Sequence, residues 1–278
     1  MAYHYSVIKT INGLINFTNI GSLKMKDLSY KAKIRLYMKG KLEVHKEIRI
    51  DSKQFHYLTN VMRRKRDDIL IIFNEIDGEF ITKIINISKK NMIIKVLKKT
   101  KEPEKKVDIW VIFALVKKNP TDLIVQKATE LGASCLIPVV TERTITKNIN
   151  LKRMEEIVIE ASEQCERITI PEIKPIQKLD DMINSWDQSR KIFYGDETVR
   201  NQKDKEVFKK NTLCYPSGAI LIGPEGGFSQ NEISFLKSKE FVIPINLGPR
   251  ILRSDTAVVS GLVFWHTING DMKQYTLN

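Results

Sequence analysis

The residues best suited to chemistry lie in two loops near the end of this 278-residue sequence. The first is Gly223-Pro224-Glu225-Gly226-Gly227-Phe228, and the second is Gly248-Pro249-Arg250-Ile251-Leu252-Arg253. Glycine lets a backbone adopt positive φ and come close to a ligand, so both loops can offer main-chain groups to a bound molecule. The second loop adds the guanidinium groups of Arg250 and Arg253, permanent cations that stabilise negative charge. One glycine-rich turn is weak evidence, because any strand-to-helix turn favours Gly or Pro. Two of them, separated only by residues 229–247, are much less generic.

Each loop follows a short apolar run, Ala219–Ile222 and Val242–Leu247. Such runs, bounded by turn signals, read as buried parallel strands, and open α/β sheets bind ligands at the carboxyl ends of their strands. A helix pattern follows Ser229-Gln230-Asn231-Glu232 and another follows Ser254-Asp255-Thr256. Upstream, Val107–Leu115 reads as a strand. Asn119 is expected to cap a helix that starts at Pro120, runs through Leu123, Val125, Ala128 and Leu131, and stops at Gly132. A second strand, Cys135–Val140, completes a βαβ unit. A helix over Met154–Arg167 and a strand over Lys191–Tyr194, ending in Gly195-Asp196-Glu197, continue the pattern. The fold class is therefore α/β with a parallel sheet.

The first part of the chain has a different texture. Ile34–Met38, Ile69–Phe73, Phe80–Asn86 and Asn91–Leu97 read as short strands, with a hairpin signal at Ile76-Asp77-Gly78-Glu79 and a helix over Lys53–Val61. Together they suggest a small β-barrel. Net charge is +13, and it is unevenly placed. Residues 33–105 hold 19 Lys/Arg against 10 Asp/Glu, whereas residues 106–278 hold 23 against 22. A basic block beside a near-neutral body suits a module that docks on nucleic acid. Its densest run, Arg63-Arg64-Lys65-Arg66, is the expected phosphate contact. The Pro-containing stretch 101–106 marks the boundary, giving domains at 33–105 and 106–278. Residues 1–32 form an extension to which no role is assigned.

Composition narrows the function further. Hydrophobic content of 42% and charged content of 28% are those of a soluble globular protein. No stretch approaches the roughly 18–20 uninterrupted apolar residues of a membrane span. The first thirty residues lack an apolar core followed by a small-residue cleavage site, so no signal peptide is expected. Cys135, Cys165 and Cys214 are widely spaced, which argues against a metal or disulfide framework and fits a reducing cytoplasm. No G-x-G-x-x-G opens the first βα unit, against a dinucleotide enzyme.

The two loops closely resemble those of the SPOUT methyltransferases, and the best match is the RsmE family, which methylates N3 of a uridine in 16S ribosomal RNA. Lys127-Ala128-Thr129-Glu130-Leu131-Gly132 followed by Thr141-Glu142-Arg143-Thr144, and Glu163-Gln164-Cys165-Glu166-Arg167 with Ile170-Pro171-Glu172-Ile173, resemble the same family. His56, Leu58, Val61, Met62 and Arg63 loosely fit the pattern of its amino-terminal PUA-like domain, with Asp67 standing where that family prefers Gly. The resemblance implies a trefoil knot at about 219–263 that holds S-adenosylmethionine in a bent form. The expected cofactor residues are Ile222, Gly223, Pro224, Glu225, Gly226, Gly227, Leu247, Gly248, Ile251, Leu252, Thr256 and Glu197. Because both sit in the second loop, Arg253 first and Arg250 second are expected to stabilise an anionic uracil, with Arg143 expected near the site. Arg167 joins the basic run as an expected RNA contact. The implied partners are 16S RNA or the small subunit and a second copy in a homodimer; the small residues Ala257, Ser260 and Gly261 suit close helix packing, across that dimer or within one subunit. A SPOUT enzyme acting on another RNA site or atom, and a non-catalytic RNA-binding assembly factor, are the competing readings. The Gly and Arg residues kept in both loops count against the latter.

Overall fold

A computed structural model describes residues 34–105, 107–146, 148–196 and 215–275. The extension at 1–32 and Glu197 thus lie outside the described residues. The chain divides into two compact units, with the division between Pro103 and Glu104.

The first unit is a single curled sheet. Its strands are β1 (Arg35–Tyr37), β2 (Glu47–Asp51), β3 (Ile69–Asn74), β4 (Gly78–Ile87) and β5 (Asn91–Lys101), in the order β1-β3-β4-β5-β2. Only β1 and β3 run parallel. The order leaves β1 and β2 as edges, so the predicted barrel is a half-barrel. Leu36, Ile50, Leu70, Ile72, Ile84, Ile94 and Val96 point inward at alternate positions and pack with Leu58 into one core. The helix predicted over Lys53–Val61 is α1 (Ser52–His56) followed by a π turn over Tyr57–Val61, where Met62 N–H reaches the Tyr57 carbonyl at 2.9 Å. At the hairpin, Gly78 has φ +91°, and a Cβ there would lie 2.2 Å from the Lys101 carbonyl oxygen, so this turn tolerates only glycine.

Glu79 is the electrostatic centre of this unit. Its buried carboxylate accepts from Arg35 Nε at 2.8 Å and from the Thr100 hydroxyl at 2.9 Å, and Lys101 Nζ lies 3.5 Å away. The Arg35 guanidinium also stacks 3.5 Å over the Phe73 ring.

Among the described residues the second unit is a seven-stranded, wholly parallel sheet between two helical layers. Its elements are β6 (Asp108–Ala114), α2 (Lys118–Glu130), β7 (Cys135–Val140), α3 (Leu151–Gln164), β8 (Glu172–Ile173), β9 (Gln177–Lys178), α4 (Leu179–Asn184), β10 (Lys191–Gly195), β11 (Ser217–Ile222), α5 (Gln230–Lys237), β12 (Val242–Ile245) and α6 (Ser254–Ile268). The strand order is β12-β10-β11-β6-β7-β8, with β9 also on β7. Alternate strand residues face opposite layers. Ile109, Val111, Phe113, Ile220 and Ile222 pack under α2, α3 and α6, while Ile112, Ile137, Tyr194 and Leu221 pack under α4 and α5. Both faces being covered explains the unbroken apolar strands.

Two local expectations change. Lys117, not Asn119, is the residue flanking the start of α2, so Asn119 and Pro120 lie inside the first turn, where a missing N–H costs no helical bond. The helix predicted to start at Met154 begins at Leu151, capped by Asn150, whose side chain accepts from Arg153 N–H at 3.1 Å. The small residues of α6 pack within the subunit at two points: Ala257 is buried, and a Cβ on Gly261 would lie 2.9 Å from Ile220 Cγ2.

Replacing Glu79 by Ala withdraws the carboxylate from a buried guanidinium and should cost about 3–5 kcal/mol. Urea unfolding followed by circular dichroism would measure it; a change below about 1 kcal/mol, the range of exposed pairs, would refute this role.

Candidate functional site

The carboxyl ends of β10, β11 and β12 face one cleft of about 350 Å³. The parallel register sets this up, since Tyr194 pairs with Leu221 on one side and with Pro244 on the other. The chain then leaves the sheet from all three strands at nearly one level. Ile222, Gly223, Pro224, Glu225, Gly226 and Gly227 form one wall, and Leu247, Gly248, Arg250, Ile251 and Leu252 another. Gly227 and Gly248 have φ of +67° and +120°, conformations that disfavour any side chain. The Ser254 hydroxyl at the start of α6 donates to the Gly223 carbonyl at 3.1 Å and joins the two loops.

The remaining predicted site residues fall in different places. Arg143, in the turn after β7, lines the cleft, but its Nη1 donates to the Gly226 carbonyl at 2.8 Å. Arg250 lines the cleft, is exposed, and makes no ion pair among the described residues. Arg253 and Thr256 are not among the lining residues. Arg253 flanks the start of α6 with an exposed side chain, and Thr256 turns to Asp255, its N–H donating to that carboxylate at 2.6 Å. Arg167 is half-exposed, and its guanidinium donates to the Thr129 carbonyl at 2.5 Å and to the Thr169 hydroxyl at 2.8 Å, tying the ends of α2 and α3 together.

In the first unit Arg63, Lys65 and Arg66 are exposed, while Arg64 is half-buried with Nη1 3.8 Å from Asp68. Asp67 takes the left-handed conformation, φ +73°, with its N–H on the Ile84 carbonyl and its carboxylate 2.7 Å from Lys83 Nζ. Aspartate is one of the few residues that tolerate this region, so the turn keeps its shape without glycine.

Sequence reasoning missed Asp196, although it singled out the neighbouring Glu197. Asp196 is buried in the cleft wall and accepts the Tyr194 hydroxyl at 2.9 Å, with Lys237 Nζ 3.5 Å away. Burial first, then the Asp196 charge and its hydrogen bond, raise the Tyr194 phenol above its ordinary value of 10.0. Cys135 lies elsewhere in the sheet, and burial pushes its thiol up to about 12, so it is inert.

Comparison with known proteins completes the picture. The RNA methyltransferase domain family matches residues 103–265, and the RNA methyltransferase PUA domain family matches residues 50–97. The ribosomal RNA small subunit methyltransferase E of Rickettsia conorii is 30% identical, covering 82% of this chain and 93% of that protein. Its namesake from Buchnera aphidicola of Acyrthosiphon pisum is 34% identical, covering 86% and 95%. This chain belongs to the RsmE family. A solved Legionella pneumophila methyltransferase in complex with the bound cofactor SAM shares 27% identity and a TM-score of 0.73, covering 84% of this chain and 97% of that one. A Neisseria gonorrhoeae small subunit methyltransferase E structure, 24% identical with the same TM-score, shares the fold. In this RsmE chain the matched segments contain both glycine loops and the Arg63–Arg66 turn. The knot expected at 219–263 turns on how the chain leaving β12 passes the β10–β11 connection, of which residues 197–214 lie outside the described residues. No helix among the described residues is long and apolar enough to cross a membrane.

Tyr194 gives a pH prediction. Its folded value lies above the unfolded one, so its contribution to stability is constant below about pH 10 and is lost as pH rises further, where only the unfolded phenol ionises readily. Thermal melts of the native chain should show this alkaline slope, and Tyr194→Phe should flatten it. A native slope matched by the variant would mean that the phenol is not protected.

Proposed function

We propose that this protein transfers the methyl group of S-adenosylmethionine to N3 of a uridine in 16S ribosomal RNA. The observation that carries this is the cleft walled by two glycine loops, in a chain homologous along most of its length to small subunit methyltransferases.

The residues present suit the cofactor. The cleft volume falls in the range of small-molecule sites. Ile222, Leu247, Leu252 and Ala257 offer apolar surface to an adenosine, the loop backbones offer hydrogen bonds, and Asp196 places negative charge near a cationic ligand. S-adenosylmethionine supplies an electrophilic methyl on a sulfonium, so what the protein must add is alignment.

Uracil N3 is a weak acid, and its anion spreads charge onto O2 and O4. Arg250 is the cleft arginine whose side chain makes no ion pair or hydrogen bond among the described residues, so it replaces Arg253 as the expected stabiliser of that anion. No described lining residue is a histidine or cysteine, which leaves positioning and electrostatics as the chain's own contribution. In the first unit, the exposed Arg63, Lys65 and Arg66 would hold RNA phosphates. The stripe of half-exposed Val259, Ser260 and Phe264 with exposed Val263 on α6 would seat a second copy, making a homodimer. The setting would be the cytoplasm, where ribosomal subunits are assembled.

Methyl-labelled cofactor incubated with the protein and unmodified small subunits should place label in 3-methyluridine on mass-spectrometric mapping. Arg250→Ala should lower kcat on the order of 10²-fold with little change in cofactor affinity. Label in another nucleotide or on a ribose would favour a different SPOUT specificity, and equal losses of rate and affinity would remove Arg250 from the chemistry.

A further inference from the structure

We infer that Glu232 and Arg143 are positioning residues forming a latch that sets the first glycine loop, which makes Arg143 a support for the site and not a group that meets the uracil. The inference rests on the reading of the cleft as a cofactor site.

Glu232 is 4% exposed, and both of its oxygens are used. Oε2 accepts the Ser229 N–H at 2.8 Å, while the Ser229 hydroxyl accepts the Glu232 N–H at 3.1 Å, closing a capping box at the start of α5. Capping needs only one of those oxygens. Oε1 turns away from its own helix and accepts the Glu142 N–H, also at 2.8 Å, from the turn after β7. A carboxylate that bonds two backbone amides from separate loops is a strong, directional tie in a site shielded from water.

Next to Glu142, Arg143 adds the second half of the latch by donating to the Gly226 carbonyl. The turn that presents both groups is stiff by itself. Thr141 and Thr144 are buried, their hydroxyls lie 2.8 Å apart, Thr141 N–H donates to the Thr144 hydroxyl at 2.9 Å, and Thr144 N–H returns to the Thr141 carbonyl. The flexible member is therefore the glycine loop, held from outside at Gly226 by Arg143 and at its helical end by Glu232. A Cβ at Gly226 would meet only Arg143, at 3.6 Å from its Cδ, whereas one at Gly223 would press on the Phe228 ring at 3.1 Å, so packing holds Gly226 less tightly than Gly223.

A latch and a catalytic arginine separate in kinetics. Loss of the latch lets the loop wander, which raises the Kd and KM for S-adenosylmethionine and leaves kcat at saturating cofactor nearly intact. Calorimetric titration of S-adenosylmethionine and steady-state kinetics would be run on the native chain, Arg143→Ala, Glu232→Gln, the double variant, and Glu240→Gln as an exposed control. Glutamine can accept through one oxygen only, so Glu232→Gln keeps the cap or the cross-loop bond but not both. Each latch variant should raise Kd on the order of tenfold, with kcat within about twofold and Arg143→Ala melting as the native chain does. The double variant should exceed neither single by much, because either loss releases the same loop. A fall in kcat with unchanged Kd for Arg143→Ala, or Kd changes that multiply in the double variant, would overturn the latch. Native binding with both variants unchanged would do so too. Failure of the native chain to bind would instead overturn the cofactor reading on which the latch rests.

Discussion

The site depends on returning the chain from the edge of the sheet to its middle. β12 is the outermost strand, beyond β10, yet the helix that follows it packs on β11 and β6. Residues 246–253 must therefore turn back over the end of β10, and the hydroxyl of Ser254 on the Gly223 carbonyl marks where they arrive. That single contact brings the end of β12 against the end of β11, and the cleft is the space left between. Close approach of α6 to the sheet is possible because Gly261 presents no side chain to Ile220. The neighbouring Ala257 and Val258 then bury the start of the helix against the same core. A chain that ran outward from β12 instead of turning back would have both loops but no common wall.

Charge within the cleft is divided by burial. Asp196 is sunk in the wall among Tyr194 and Lys237, where a negative charge acts at short range and with little screening. Arg250 sits at the exposed rim, where it can meet a substrate arriving from solvent. The half-barrel handles charge in the opposite way. Among the described residues its strongly buried pair, Arg35 with Glu79, is structural, and its basic turn is displayed on the outside. Recognition of a polyanion needs cations that stay hydrated until contact, and those of Arg63, Lys65 and Arg66 are.

Much of the α/β unit was legible because its longer strands are short apolar runs bounded by polar or turn-forming residues. Cys135–Val140 matches its predicted bounds, and both glycine loops fall at strand ends as their sequences suggest. Weak elements escaped notice. β2 reads Glu-Ile-Arg-Ile-Asp, an edge strand with one buried face and charges on the other, and β8 and β9 span two residues each. Side-chain direction was the harder limit. Spacing put Arg250 and Arg253 in one loop, but only the onset of α6 decides which of them lines the cleft. Asp196 was passed over for Glu197, because two neighbouring carboxylates read alike in the sequence and only the packing of Tyr194 and Lys237 marks Asp196. Nothing local in Arg167 or Glu232 reveals partners that lie 38 and 90 residues away.

The claim that two loops joined at Ser254 make a cofactor cleft is tested most directly by titrating S-adenosylmethionine into the native chain in a calorimeter, beside Gly223→Trp and Leu252→Asp. Gly223 has the Phe228 ring about 3.1 Å from where its Cβ would stand, so an indole there must swing into the cleft. An aspartate at Leu252 would replace apolar wall with charge. The account predicts one site per chain for the native protein and no measurable binding to either variant, with both still folded. Native binding that persists in both folded variants would place the cofactor elsewhere and contradict the account.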